Sequence, residues 1–131
     1  MTQCSVLIIE DEEPIQLFLQ QILERSGYGV TCVGRRVDAT KLIKQQQFDV
    51  IVTDVLLPDG DGLELIMEIK KKQPAVRIIA MSGGGRYLTS ADCLRMAKQL
   101  GAHAILSKPF TESQLFDALR LSSAPPCEIA S

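Results

Sequence analysis

Tryptophan is absent, histidine occurs once, and phenylalanine and tyrosine supply only 5% of the residues. No stripe of lysine and arginine is interleaved with aromatic rings, and the net charge is -2, so the basic field that nucleic-acid binding needs is missing. The four cysteines, Cys4, Cys32, Cys93 and Cys127, lie far apart, with no C-x-x-C pair and no histidine cluster to make a zinc site. They read as thiols in a reducing compartment rather than as a disulfide framework. Long apolar runs are missing too. Val6 to Ile9 is too short for a signal peptide and leads straight into acids, and nothing approaches a membrane span. A cytoplasmic protein without direct contact to nucleic acid or membrane is expected.

What the chain does have is hydrophobic content, 46% over 131 residues, which is enough for one domain with a real core. Its most informative stretch is Phe48-Asp49-Val50-Ile51-Val52-Thr53-Asp54. Val50, Ile51 and Val52 leave no polar face, the pattern of a strand buried on both sides of a parallel sheet. That strand surfaces at Asp54, just before the turn-forming Pro58-Asp59-Gly60-Asp61-Gly62. In an open α/β sheet the carboxyl end of a strand is where ligands bind. Asp54 is therefore a candidate for chemistry.

The other apolar runs repeat the pattern. Val6 to Ile9 is a strand ending on Glu10, Asp11, Glu12 and Glu13, and Pro14 then suits a first helical turn. Ile15, Phe18, Leu19, Ile22 and Leu23 recur at helical spacing up to Ser26-Gly27. A strand over 29–33 and a helix over 37–46 follow, the latter closing in the solvated Gln45-Gln46-Gln47. Beyond Asp54 a helix starts near Gly62, with Leu63, Ile66, Met67 and Ile69 inward and Lys70-Lys71-Lys72 as a solvated end. Val76 to Ala80 is a strand ending on Met81-Ser82, a helix covers 89–100, and Ala104 to Leu106 is a strand leading to Ser107-Lys108-Pro109-Phe110. Thr111 and Gln114 match a capping box for a last helix reaching Leu121. Residues 1–121 thus read as one domain, and 122–131, with Pro125-Pro126, as a flexible tail or the start of a linker.

Five strands alternating with five helices imply a doubly wound α/β domain, a single five-stranded parallel sheet of flavodoxin-like order 2-1-3-4-5. In that order Glu10, Asp11, Asp54, Ser82 and Lys108 converge at the strand ends. Clustered carboxylates repel one another unless a cation is present, and hard oxygen donors without nitrogen or sulfur suit Mg²⁺. A carboxylate reached by both a metal and the Lys108 ammonium is set to attack phosphorus, with the Ser82 hydroxyl available to a phosphoryl oxygen.

Leu7-Ile8-Ile9-Glu10-Asp11-Glu12, Asp54 with Pro58 and Asp61-Gly62, Met81-Ser82-Gly83 and Lys108-Pro109-Phe110 resemble the site motifs of response-regulator receiver domains, over about residues 4 to 121. Four motifs in order, each at an expected strand end, form a specific signal. The resemblance implies a chemotaxis-regulator-like fold and phosphorelay signalling. Asp54 would accept a phosphoryl group from a histidine kinase or phosphotransfer protein and so control a downstream effector, catalysing its own phosphorylation and the reverse hydrolysis. It also implies Mg²⁺, or Mn²⁺ in its place, held by Asp54, directly by Asp11, through water by Glu10, and by the Leu56 backbone carbonyl. Ser82 would be the switch hydroxyl, Lys108 the salt-bridge partner, and the bond before Pro109 cis. Glu10 stands where aspartate is commoner and keeps the charge. Ile105 stands where an aromatic switch residue is usual, and it has no ring to swing.

Several features read more plainly. The Gly83-Gly84-Gly85 run lacks the Lys-Ser/Thr of a P-loop and reads as a mobile loop beside Asp54. Asp59 and Asp61 lack the rest of a calcium loop and read as turn residue and helix cap. His103 reads as a loop or surface residue. Two other functions compete with the phosphorelay. A docking module that signals without phosphate is favoured by Ile105 and opposed by the intact acids and Lys108. A flavodoxin-like cofactor carrier is opposed by Glu10 to Glu13, which would repel a cofactor phosphate.

Overall fold

The computed structural model describes residues 4–83 and 90–121. Strand β1 (Ser5–Ile9) leads into helix α1 (Glu13–Arg25), β2 (Gly29–Val33) into α2 (Arg36–Gln45), and β3 (Val50–Asp54) into a short hairpin of β4 (Leu56–Leu57) and β5 (Gly60–Asp61). Helix α3 (Gly62–Lys72), β6 (Arg77–Ser82), α4 (Ser90–Leu100), β7 (Ala104–Ser107) and α5 (Glu112–Leu121) complete the order. The sheet runs β2-β1-β3-β6-β7 with every neighbouring pair parallel. Without the two-residue strands this is the expected 2-1-3-4-5.

The β-branched run of β3 explains the layers. Successive side chains of a strand point to opposite faces. Ile51 therefore joins Leu7, Ile9, Ile78 and Ala80 against α2, α3 and α4, while Val50 and Val52 join Val6, Ile8, Ile79 and Met81 against α1 and α5. Both faces are covered, so neither can be polar. The polar residues Glu10, Asp54 and Ser82 lie where the central strands β1, β3 and β6 end.

Local signals account for most helix limits. Pro14 lies in the first turn of α1, and the Thr111 hydroxyl and Gln114 side chain bond reciprocally to each other's backbone N–H, at 3.1 and 2.8 Å. Helix α4 stops before Gly101, whose φ of 130° suits glycine. Met67, expected inward, is 47% exposed, and Leu65 takes the buried place. The inward stripe of α3 runs through Gly62, Leu65, Ile66 and Ile69, and Met67 lies one step past its edge. Cys4 and Cys32 carry thiols rather than a disulfide. Thr89, Gly84, Gly85, Cys127 and the expected tail over 122–131 lie outside the described residues.

Gly62 closes the turn after β3 at close quarters. Its N–H donates to the Val55 carbonyl at 3.0 Å, and a Cβ built on it would lie 2.7 Å from Val55 Cα and press on the Asp54 carbonyl. Those neighbours are backbone and cannot swing away. Gly62→Ala should cost about 2–3 kcal/mol, read as a lower urea midpoint with unchanged slope.

At the opposite end of the sheet the Ile78 N–H donates to His103 Nδ1 at 3.1 Å, and the His103 N–H returns a bond to the Ile78 carbonyl at 2.8 Å. Burial, then the charges of Lys70 and Arg77, hold this imidazole below its usual pKa. A depressed histidine favours folding in its neutral form. Its contribution is complete above the unfolded value of about 6.5 and is lost as pH falls through the folded one. Stability should fall more steeply from about pH 7 to about pH 5 in the wild type than in His103→Ala, measured by urea denaturation at each pH.

Candidate functional site

Four strand ends build the site. Glu10, fully buried, and exposed Asp11 follow β1, and Asp54, 5% exposed, ends β3. Ser82, fully buried, ends β6, and Lys108 follows β7. Carboxylate oxygens of Glu10, Asp11 and Asp54 lie within 4.8 Å of one another. The Lys108 ammonium pairs with both Glu10 and Asp54 and stands 4.0 Å from Glu12. Ser82 lies one residue beyond Met81, the register partner of Asp54, and its carbonyl accepts from the Lys108 N–H at 2.9 Å. All five residues singled out from the sequence thus gather at one edge.

Backbone and side-chain donors fix the acids. The Leu56 N–H donates to Asp54 Oδ1 at 2.9 Å, the Glu12 N–H to Glu10 Oε2 at 3.3 Å, and the Gln16 side-chain amide to the Glu10 carbonyl. Gln16 carries no signal that would single it out, because a polar residue one turn into an amphipathic helix reads as solvated. The Lys108–Pro109 bond is cis, as the resemblance implied. Ile105 points outward from the edge strand β7 and is 40% exposed. A mostly apolar cleft of about 470 Å³ opens beside Lys108, between Pro14, Ile15 and Phe18 of α1 and Pro109-Phe110.

The charges are strongly coupled. Burial raises the Glu10 carboxyl to about 7, with the Lys108 hydrogen bond pulling down and the Asp54 charge pushing up. Burial opposes the Lys108 ammonium, but its hydrogen bonds to Asp54 and Glu10 outweigh that and hold it above the usual lysine value. Three carboxylates facing one ammonium leave an excess of negative charge. An oxygen-only donor set of this kind fits a hard divalent cation.

The family model of the response regulator receiver domain matches residues 6–120. This chain belongs to that family. The receiver domain is similar to the DNA-binding transcriptional regulator NtrC of Azospirillum brasilense, 33% identical over 132 residues that cover 98% of this chain and 27% of the relative. NtrC of Rhizobium meliloti (strain 1021) is 30% identical over 126 residues, covering 96% and 25%. The chain spans about a quarter of the length of the curated relatives it matches. Among solved structures, the beryllofluoride-activated NtrC4 receiver domain dimer is 36% identical with a TM-score of 0.81, covering 90% of this chain and 94% of that one. A response regulator from Burkholderia pseudomallei, solved with a phosphorylated aspartic acid, a calcium ion and citrate, is 30% identical with a TM-score of 0.79, covering 91% and 69%. The receiver domain functions in phosphorelay signalling through aspartyl phosphorylation, and receiver domains bind a divalent metal at an acidic pocket.

Removing Lys108 isolates two buried carboxylates. Lys108→Met should destabilise the cation-free protein by about 3 kcal/mol, and a divalent cation should recover part of the loss. Urea denaturation with and without the cation tests this, and equal midpoints for wild type and variant would show that the ammonium compensates nothing.

Proposed function

We infer that Asp54 is the phosphoryl acceptor, and that the chain receives the group from a histidine kinase or phosphotransfer protein. The observation that carries this is the convergence of Glu10, Asp11, Asp54 and Lys108 from separate strand ends onto one point. An Asp54 oxygen attacks phosphorus, an oxygen–phosphorus bond forms, and the bond from phosphorus to the donor's imidazole nitrogen breaks. Lys108 remains as the cation facing the transferred group, and the Leu56 N–H keeps the Asp54 carboxylate oriented. The Ser82 hydroxyl is the donor assigned to a phosphoryl oxygen.

Mg²⁺, or Mn²⁺ in its place, is the ion this donor set would hold, through Asp11 and Asp54 directly, Glu10 by way of water, and the Leu56 carbonyl. The chemistry it supplies when bound is neutralisation of the carboxylates and of the phosphoryl oxygens. Hydrolysis of the aspartyl phosphate at the same residues returns the chain to its starting state, so it catalyses both its own phosphorylation and its own dephosphorylation.

The phosphoryl group brings about -1.5 to -2 charge and strong acceptor oxygens, which bias an existing equilibrium between two conformations. The output is contact with a downstream effector protein or domain in the cytoplasm, without direct nucleic-acid or membrane binding. No described helix is long and apolar enough to cross a membrane. Residues 1–121 form the receiver and 122–131 a tail or linker.

Exposed Ile105, with no ring to bury, favours one competing reading, a docking module indifferent to phosphate. Mass spectrometry after incubation with a small acyl phosphate and Mg²⁺ should show one added phosphoryl group on the wild type and none on Asp54→Asn. Unmodified wild-type protein would sink the proposal. A partner that binds the two proteins equally in the presence of the donor would favour docking.

A further inference from the structure

The hairpin between Asp54 and α3 is tied to a distant part of the chain. At its tip Asp59 accepts the Arg36 N–H at Oδ1, 2.7 Å, and the Val37 N–H at Oδ2, 3.0 Å. These are unsatisfied donors of the first turn of α2, whose own N-cap, Arg35, makes no side-chain capping bond. The Arg35 side chain adds an ion pair to Asp59 at 3.8 Å. Arg36 grips the hairpin from the other side, with its guanidinium 3.5 Å from the Asp61 carbonyl and 2.8 Å from Glu64. Its stem lies so close to Gly60 that a Cβ there would sit 2.7 Å from Arg36 Cδ. The start of α2 therefore clamps the six-residue hairpin Leu56–Asp61, and its first residue, Leu56, donates its N–H to the Asp54 carboxylate.

We propose that Asp59 is a positioning residue for the acceptor site: by capping α2 across space it fixes the hairpin that carries Leu56, and so orients the Asp54 carboxylate. Two-residue strands cannot hold such a loop by themselves, since a lone hairpin is marginal in water. Helix α2 is anchored independently, through buried Ala39 and Ile43, and supplies the rigidity the hairpin lacks. The charge on Asp59 also complements the positive end of the α2 dipole. The inference rests on Asp54 being the acceptor only for its functional consequence, because the loop geometry can be read without any phosphoryl transfer.

The test compares wild type with Asp59→Ala and Asp59→Asn, and with His103→Ala, which removes a side-chain bond to backbone at the far end of the sheet. The first readout is the Leu56 amide resonance in cation-free protein, which reports the bond to Asp54 in the native state and is insensitive to overall stability. The second is Mg²⁺ affinity. In Asp59→Ala the Leu56 amide should shift upfield and Mg²⁺ should bind about tenfold more weakly. Asp59→Asn keeps one oxygen for two N–H donors and should fall between. His103→Ala should leave both readouts unchanged. A Leu56 amide that does not move in Asp59→Ala overturns the inference, as does an equal change in His103→Ala. Wild-type protein that takes no phosphoryl group defeats the functional reading alone, and the Leu56 resonance still decides the role of Asp59.

Discussion

Two buried carboxylates, Glu10 and Asp54, share one ammonium, that of Lys108, with a third carboxylate, Asp11, close by. The carboxylate oxygens lie within 4.8 Å of one another, and two full like charges at that distance would repel by about 3 kcal/mol at an effective dielectric constant near 20. This is as large as the gain from burying a big aliphatic side chain, about 1.5–3 kcal/mol. A flexible loop would relieve such repulsion by moving apart. Here the acids end strands whose apolar residues are fully buried on both faces, and the frame holds them together. The site keeps its unbalanced charge because the sheet is rigid, and the imbalance is what attracts a divalent cation.

Close backbone contacts maintain that frame on the side of Asp54. Gly62 lets α3 begin directly against the Asp54–Val55 peptide, and Asp61 caps the same helix by accepting the Leu63 N–H at 2.8 Å. On the side of Glu10, the Gln16 amide and the Glu12 N–H hold the β1 terminus. At the far end Gln73, 2% exposed, accepts from the Phe48 N–H and donates to the carbonyls of Ile43 and Gln46, so that the start of β3 is tied to the end of α2. Strand β3 is thus fixed at both ends by polar contacts and along its length by apolar ones. Its carboxylate has little freedom to drift.

The strands and helices were legible because each is long enough to show a period, and because the β-branched run Val50-Ile51-Val52 cannot present a polar face. The residues of the site were legible for a related reason: a polar side chain at the end of a buried run must lie at the sheet edge, and one strand order brings those edges together. What escaped were features without a period. The β4–β5 hairpin has two residues per strand. In the sequence Asp59 reads with its neighbours as part of a turn, while the helix it caps begins 23 residues earlier. Leu65 lies within the inward stripe of α3 and Met67 just past its edge, and hydrophobicity alone does not say which of the two faces inward. A side chain that binds across space leaves no trace in local spacing, so the supporting contacts were hidden while the charged groups at the strand ends were not.

The position of Ile105 bears on how the site can act on its surroundings. In β7 the buried residues are Ala104 and Leu106, and Ile105 faces outward, so no side chain of that strand is poised to rotate into the sheet. Lys108 is differently placed. Its ammonium contacts Asp54 and Glu10, while its backbone N–H is bound to the carbonyl of Ser82 at 2.9 Å. Charge added at Asp54 therefore pulls on a residue that joins the ends of β6 and β7. On the other flank, the Leu56 N–H connects Asp54 to the hairpin and, through Asp59, to α2. Both connections run onward through hydrogen bonds to backbone rather than through a rotating ring, and each depends on a geometry of a few tenths of an ångström. Under the proposed role of Asp54, stiff strand ends and a stiff hairpin moving as units would take the place of the aromatic lever.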